Sequence, residues 1–207
     1  MATDLRDDPA ELSEAHDTRV RHLGTWIEVL ASSLLGMVAS LVLAVDAVIL
    51  AADPTADLSC NLSDKISCGT VGSSWQASLL GFPNAFLGLL AEPVITTIAV
   101  ASLSRVRFPR WFMLAAQVVS SIGFLFAYWL FYQAYFVIGA LCPWCLLITV
   151  TTTLIFFSFT RINVLDGNFG PRLQERMGRM FRVYHLDTVA AILVIAVLAA
   201  MVIYQYL

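Results

Sequence analysis

Four cysteines form two pairs of unlike spacing: Cys60 and Cys68, with seven residues between them, and Cys142 and Cys145 in the run Cys-Pro-Trp-Cys. Paired thiols can pass two electrons along a series of disulfide exchanges, in each of which a thiolate attacks a sulfur of the next disulfide. Two structural disulfides are the plainer alternative, but a Cys-x-x-Cys closes almost no chain and adds little stability. A zinc site is another. Only one pair has ligand spacing, and His16, His22 and His185 lie far from it along the chain, so no metal is expected.

The segments that must position these sulfurs belong to a membrane. The chain has 207 residues, 59% hydrophobic and 13% charged, where soluble domains carry about 45–50% apolar and about 25% charged residues. A net charge of -3 without a basic face excludes nucleic acid as a partner. Residues 1–25 are acid-rich, unlike the basic start of a cleavable signal, and read as a disordered cytosolic tail. Apolar spans follow at Trp26 to Ala51, Phe82 to Leu103 (kinked at Pro93), Trp111 to Ile138, Cys142 to Thr160, and Asp187 to Leu207. Each is long enough to cross ~30 Å of hydrocarbon. A polar loop, 53–80, separates the first two, and its stretch Ser73 to Leu80 with Trp75 reads as a short interfacial helix. Residues 161–186 read as a basic connector.

The fold class is therefore all-α integral membrane: a four-helix transmembrane bundle over 26–160, a fifth transmembrane helix over 187–207, and a cap loop. Of the 12 Lys and Arg, all but Lys65 fall before span one, between spans two and three, or between spans four and five. The positive-inside rule then puts the N-terminus in the cytosol, with the C-terminus and all four cysteines outside, where disulfides persist. Cys142 opens a helix, so unpaired N–H groups favour its thiolate, and Pro143 omits an N–H that a first turn does not use. Cys145 lies one turn deeper, within reach of a lipid-soluble oxidant. Two of the acids inside spans, Glu92 and Asp46, bear on the site. Glu92 is expected neutral and facing other helices, with a part in a proton path as the alternative; Asp46 is near enough to the outer end to reach the headgroups, with a role near the loop as the alternative.

Cys60-Asn-Leu-Ser-Asp-Lys-Ile-Ser-Cys68, a Ser/Trp segment, Asn84-Ala-Phe-Leu-Gly88 and Cys142-Pro-Trp-Cys145, in that order, resemble the bacterial branch of the vitamin K epoxide reductase family over roughly residues 26 to 160. The resemblance implies a bundle around a quinone (menaquinone, vitamin K-type or ubiquinone) and a catalytic relay. A DsbA-like or thioredoxin-like protein outside the cytosol reduces the loop pair through Cys60. Cys68 then passes electrons to Cys142, Cys145 reduces the quinone, and disulfides form in secreted proteins. By the same resemblance Asn84, otherwise a helix cap after Gly81 and Pro83, contacts a quinone carbonyl, and Ser74 supports the cap. Thr149 stands where many animal members have a tyrosine on the other carbonyl, and its hydroxyl reaches less far. Some homologues carry a fused thioredoxin-like domain after a fifth helix; this sequence ends at Leu207, which implies a separate partner. The same relay with vitamin K epoxide as acceptor, or a membrane scaffold with structural disulfides, are the rival readings.

Overall fold

The computed structural model describes residues 9–183 and 186–206. Among them, five helices are long and apolar enough to cross a membrane. Helix α1 spans Pro9–Ala52, of which Leu23–Ala52 is the crossing part. The rest of it replaces the disordered tail expected over 1–25, as far as that tail is described: lengthening an existing helix adds one hydrogen bond per residue fixed and needs no new nucleus. Residues 1–8 lie outside the described residues.

The cap follows, with α2 at Cys68–Gly72 and a 3-10 turn at Trp75–Ser78. The interfacial helix expected over Ser73 to Leu80 is thus shorter, and a second one precedes it. Ser67 causes that start, its hydroxyl accepting the Thr70 N–H, and Ser74 closes the end by donating to the Val71 carbonyl at 2.6 Å. Helix α3 covers Ala85–Leu103 with Pro93 inside it. Helix α4 covers Arg110–Tyr132 and winds into a π-turn, Gln133–Ile138, that ends on Gly139 at φ 74°, a conformation that favours glycine. That left-handed residue turns the chain straight into Ala140, Leu141 and Cys142. Helix α5 is Pro143–Leu165, α6 is Pro171–Val183 and α7 is Leu186–Tyr206.

Helix α5 is the centre of the bundle, touching α1, α4, α6 and α7, while α3 lies on α1. At the end away from the cysteines the core is Trp26, Val29, Ile98, Ala99, Met113, Ile155, Phe159 and Ile162. Polar side chains tie helices together inside this apolar setting, where each finds a partner on the next helix. Thr96 donates to Ser33 at 2.9 Å between α3 and α1. Asn163 donates to Gln117 at 3.1 Å, and Gln117 to Thr160 at 3.1 Å, between α5 and α4.

The basic connector expected over 161–186 is divided differently. Helix α5 runs on to Leu165, and Arg161 is buried in it, donating to Asp187 of α7 at 3.0 Å. An arginine that reads as a cytosolic connector charge therefore continues the span, because an acid at the start of the next one neutralises it. Only α6 retains the connector's surface-basic character, with Arg172 and Arg176 exposed; His185 lies outside the described residues.

Candidate active site

The loop and the α4–α5 turn are joined through backbone. Leu141 donates its N–H to the Lys65 carbonyl at 2.8 Å, and its carbonyl accepts the Ser67 N–H at 3.1 Å. These two bonds run Ile66 parallel to Leu141, so the residues just beyond, Cys68 and Cys142, arrive side by side. Asn61 folds the loop back on itself: its Oδ1 accepts from the Ser67 hydroxyl at 3.1 Å and the Gly69 N–H at 2.9 Å, and its Nδ2 donates to Asp57 at 3.2 Å. Gly69 is pressed against that amide.

Within this frame Cys60 and Cys68 are joined as a disulfide, while Cys142 and Cys145 are free. The Cys142 sulfur lies 3.1 Å from the Cys68 sulfur and both residues are buried, at 1% and 2% exposure. Cys68 carries no proton in this state, so any hydrogen between the two belongs to Cys142. The Cys142 thiol is held below its ordinary value, first by the Cys145 side chain and further by the N–H groups of Cys145 and Trp144, against the opposing effects of burial and of Asp46. Cys145 is partly buried one residue beyond Trp144 in the first turn of α5. Four sulfurs thus share one end of the bundle, with Leu58 completing their buried cluster and Leu43, Leu50 and Val71 around it.

The residues singled out for quinone contact sit at the same end. Asn84 does not cap α3; its Nδ2 donates to the Gln76 carbonyl at 2.6 Å, and its Oδ1 is buried without a hydrogen-bond partner among the described residues. Thr149 is buried and donates to the Cys145 carbonyl at 2.9 Å, which uses its hydrogen within the helix. Tyr128 reaches the same stretch through Thr153 at 2.8 Å, and Thr153 in turn donates to the Thr149 carbonyl at 2.7 Å. Ser74 touches backbone only, at Val71. Trp75 is exposed and meets Trp129 edge to face at 6.2 Å, which fits an indole at a membrane boundary.

The two acids differ from each other. Glu92 faces neighbouring helices, opposite Gly36 of α1 and near Thr151 of α5. Asp46 turns to the loop, where its Oδ2 lies 3.6 Å from the Cys60 sulfur. An oxygen of Asp46 and the sulfurs of Cys60 and Cys68 lie within 4.8 Å of one another, but sulfurs spent in a disulfide lack the thiolate charge a metal ion needs. The parts that Asp46 and Asn61 play in this site left little trace in the sequence. An acid a turn and a half before a helix end, and an asparagine beside a cysteine, are the only signals.

The sequence model of the Vitamin K epoxide reductase family matches residues 27–160. The chain belongs to the vitamin K epoxide reductase family. The match takes in both cysteine pairs, the cap and the four helices that carry them, and stops before α6 and α7. No curated protein matches the chain. As a member of the vitamin K epoxide reductase family with five apolar helices, it is a multi-pass membrane oxidoreductase of the thiol/quinone type.

Proposed function

We propose that the protein reoxidises a DsbA-like, thioredoxin-fold dithiol outside the cytosol and hands the electrons to a quinone, so that disulfides form in secreted proteins. The observation that carries this is the 3.1 Å approach of the Cys142 sulfur to Cys68 while Cys68 is still bonded to Cys60. A third sulfur set against one side of a disulfide is the arrangement that exchange requires. The state is the one that follows internal transfer: the loop pair is oxidised, and the two electrons rest on Cys142 and Cys145.

The cycle runs as follows. A partner thiolate attacks Cys60, Cys68 leaves, and the partner's second thiol releases the reduced loop. Cys68 then attacks Cys142 of a Cys142–Cys145 disulfide and Cys145 leaves. Cys60 next attacks Cys68, restoring the loop disulfide and freeing Cys142 as a thiolate, which the N–H groups at the start of α5 stabilise. The dithiol gives two electrons and two protons to the quinone, yielding the hydroquinone and a Cys142–Cys145 disulfide. Asn84, with a buried oxygen lacking a partner and an amide at the start of α3, is assigned to one quinone carbonyl. Thr149 is assigned beside Cys145, and Ser74 to holding the cap. The basic residues gathered at the far end, away from the sulfurs, support an extracytosolic site.

The test is reconstitution of purified protein with a reduced thioredoxin-fold dithiol and a menaquinone analogue, following quinone absorbance. Wild type consumes quinone, Cys142→Ala does not, and Cys145→Ser traps a Cys68–Cys142 bond seen on non-reducing gels. Consumption of the epoxide and not the quinone would favour the epoxide-reductase reading; disulfides in secreted proteins left intact by Cys145→Ser in cells would favour a scaffold.

A further inference from the structure

Asp46 stands six residues before the end of α1 at Ala52, about 9 Å by helical rise. A side chain so placed has water within reach, yet its carboxyl oxygen is set against sulfur. Among the described residues its one contact at hydrogen-bonding distance is the Cys60 sulfur at 3.6 Å, which in the disulfide has no proton to give. Any hydrogen in that contact therefore comes from the carboxyl group. Once the disulfide opens, the same contact works in reverse, with a Cys60 S–H donating to a carboxylate. A carboxyl group held at this distance is placed to take the Cys60 proton when the disulfide forms and to return it when the disulfide opens.

We propose that Asp46 is the proton carrier for Cys60 in the loop exchange, and this inference rests on the relay given above. When Cys60 attacks Cys68 of the Cys68–Cys142 disulfide, Asp46 takes the Cys60 proton. The sulfur lone pair becomes the Cys60–Cys68 bond, and the electron pair of the broken bond leaves on Cys142. When the partner's second thiol later expels Cys60, Asp46 returns the proton to the departing thiolate. No net proton is lost, and no other oxidant or reductant is required. At the other end of the exchange Cys142 leaves beside the Cys145 side chain and the N–H groups of Cys145 and Trp144, which favour its thiolate. The two sulfurs that flank Cys68 are thus served by different neighbours: Cys142 by Cys145 and the start of α5, Cys60 by Asp46.

The titratable groups that face Asp46 are the sulfurs of Cys60 in the loop, Cys68 of α2, and Cys142 and Cys145 at the start of α5. Helix α3, also packed on α1, presents its acid Glu92 opposite Gly36, ten residues further down α1 and about 15 Å away by helical rise.

The experiment is rapid acid quench and thiol alkylation of reconstituted Asp46→Asn, with Asp46→Ser beside it in case the amide variant does not fold, and Asp46→Glu as the conservative change. At pH 7 about one free thiol in 30 is ionised, from an ordinary pKa of about 8.5. Removing the proton acceptor should therefore slow quinone turnover roughly 10- to 30-fold. The Cys68–Cys142 species should accumulate, because its resolution by Cys60 is the slowed step. Raising the pH to about 9 should bring the rate back to within about threefold, as Cys60 then ionises unaided. Asp46→Glu should stay within a few-fold of wild type. A rate within twofold of wild type at pH 7 without the mixed disulfide, or a loss that is the same at pH 7 and 9, would overturn the proposal. Failure of the relay itself would show separately, as wild type that reduces no quinone and Cys145→Ser that traps no Cys68–Cys142 bond.

Discussion

The two ends of the bundle are held by different means. At the far end a cluster of large apolar side chains, with Trp26 edge to face on Phe159 at 6.0 Å, surrounds the ends of α1, α3, α4 and α5. Arg161 and Asp187 clip α7 to it, and Asn163, Gln117 and Thr160 cross-link α4 and α5. At the cysteine end the buried cluster is Leu58 with Cys60, Cys68 and Cys142, so the reactive atoms are themselves most of the core. The cap is tied to the α4–α5 turn by two backbone bonds at Leu141. One end fixes the helices; the other sets the reactive sulfurs in a short polar loop tied down by backbone and Asn61 hydrogen bonds.

The division predicts that mutations at the two ends have opposite profiles. The largest effect is chemical: Cys142→Ala or Cys145→Ser should reduce dithiol-to-quinone transfer to background while leaving thermal stability in detergent near wild type. Next, Arg161→Met alone leaves the Asp187 carboxylate buried without its cation and should cost about 3–5 kcal/mol of stability, with transfer per folded molecule unchanged. The double change Arg161→Met with Asp187→Leu should recover most of that loss in the same thermal assay. Asn61→Ala removes the hydrogen bonds that close the loop and should loosen it by about 1–3 kcal/mol, read as faster amide exchange over residues 61–70 with global stability little altered. The smallest effect is in pH dependence. Because the Cys142 thiol is held low, its thiolate persists as pH falls through the ordinary thiol range and is lost only below its own lowered pKa. Attack of Cys142 on the loop disulfide, measured by acid quench, should therefore fall less steeply between about pH 9 and neutrality than attack by a free thiol of pKa about 8.5, which would slow roughly 30-fold.

Which features were legible in the sequence follows from the range of the interactions that make them. The spans were, because crossing a bilayer requires a run of apolar residues and nothing distant alters that; four of the five reach within about four residues of their expected ends. The exception is span four, which runs on to Leu165 because Arg161 meets Asp187 across 26 residues, a pairing with no local trace. Two cysteine pairs that the pattern of basic residues assigned to one side of the membrane pointed to exchange chemistry. That Cys68 rather than Cys60 faces Cys142 depends on the Ile66 and Leu141 bridge, which is a tertiary matter. Asp46 could be read as reaching headgroups or as serving the loop for the same reason: hydropathy registers its depth, whereas the direction it turns is set by where the loop folds back.

Lys65 joins three parts of the molecule. Its carbonyl accepts from Leu141, and its ammonium donates to the Gln205 carbonyl at 3.1 Å, so the last turn of α7 lies beside the reactive loop. A dithiol domain grafted after residue 207 by a short flexible tether would begin its search next to Cys60, at an effective concentration on the order of millimolar. Docking would then be intramolecular, and turnover of the graft would no longer depend on how much free partner is supplied.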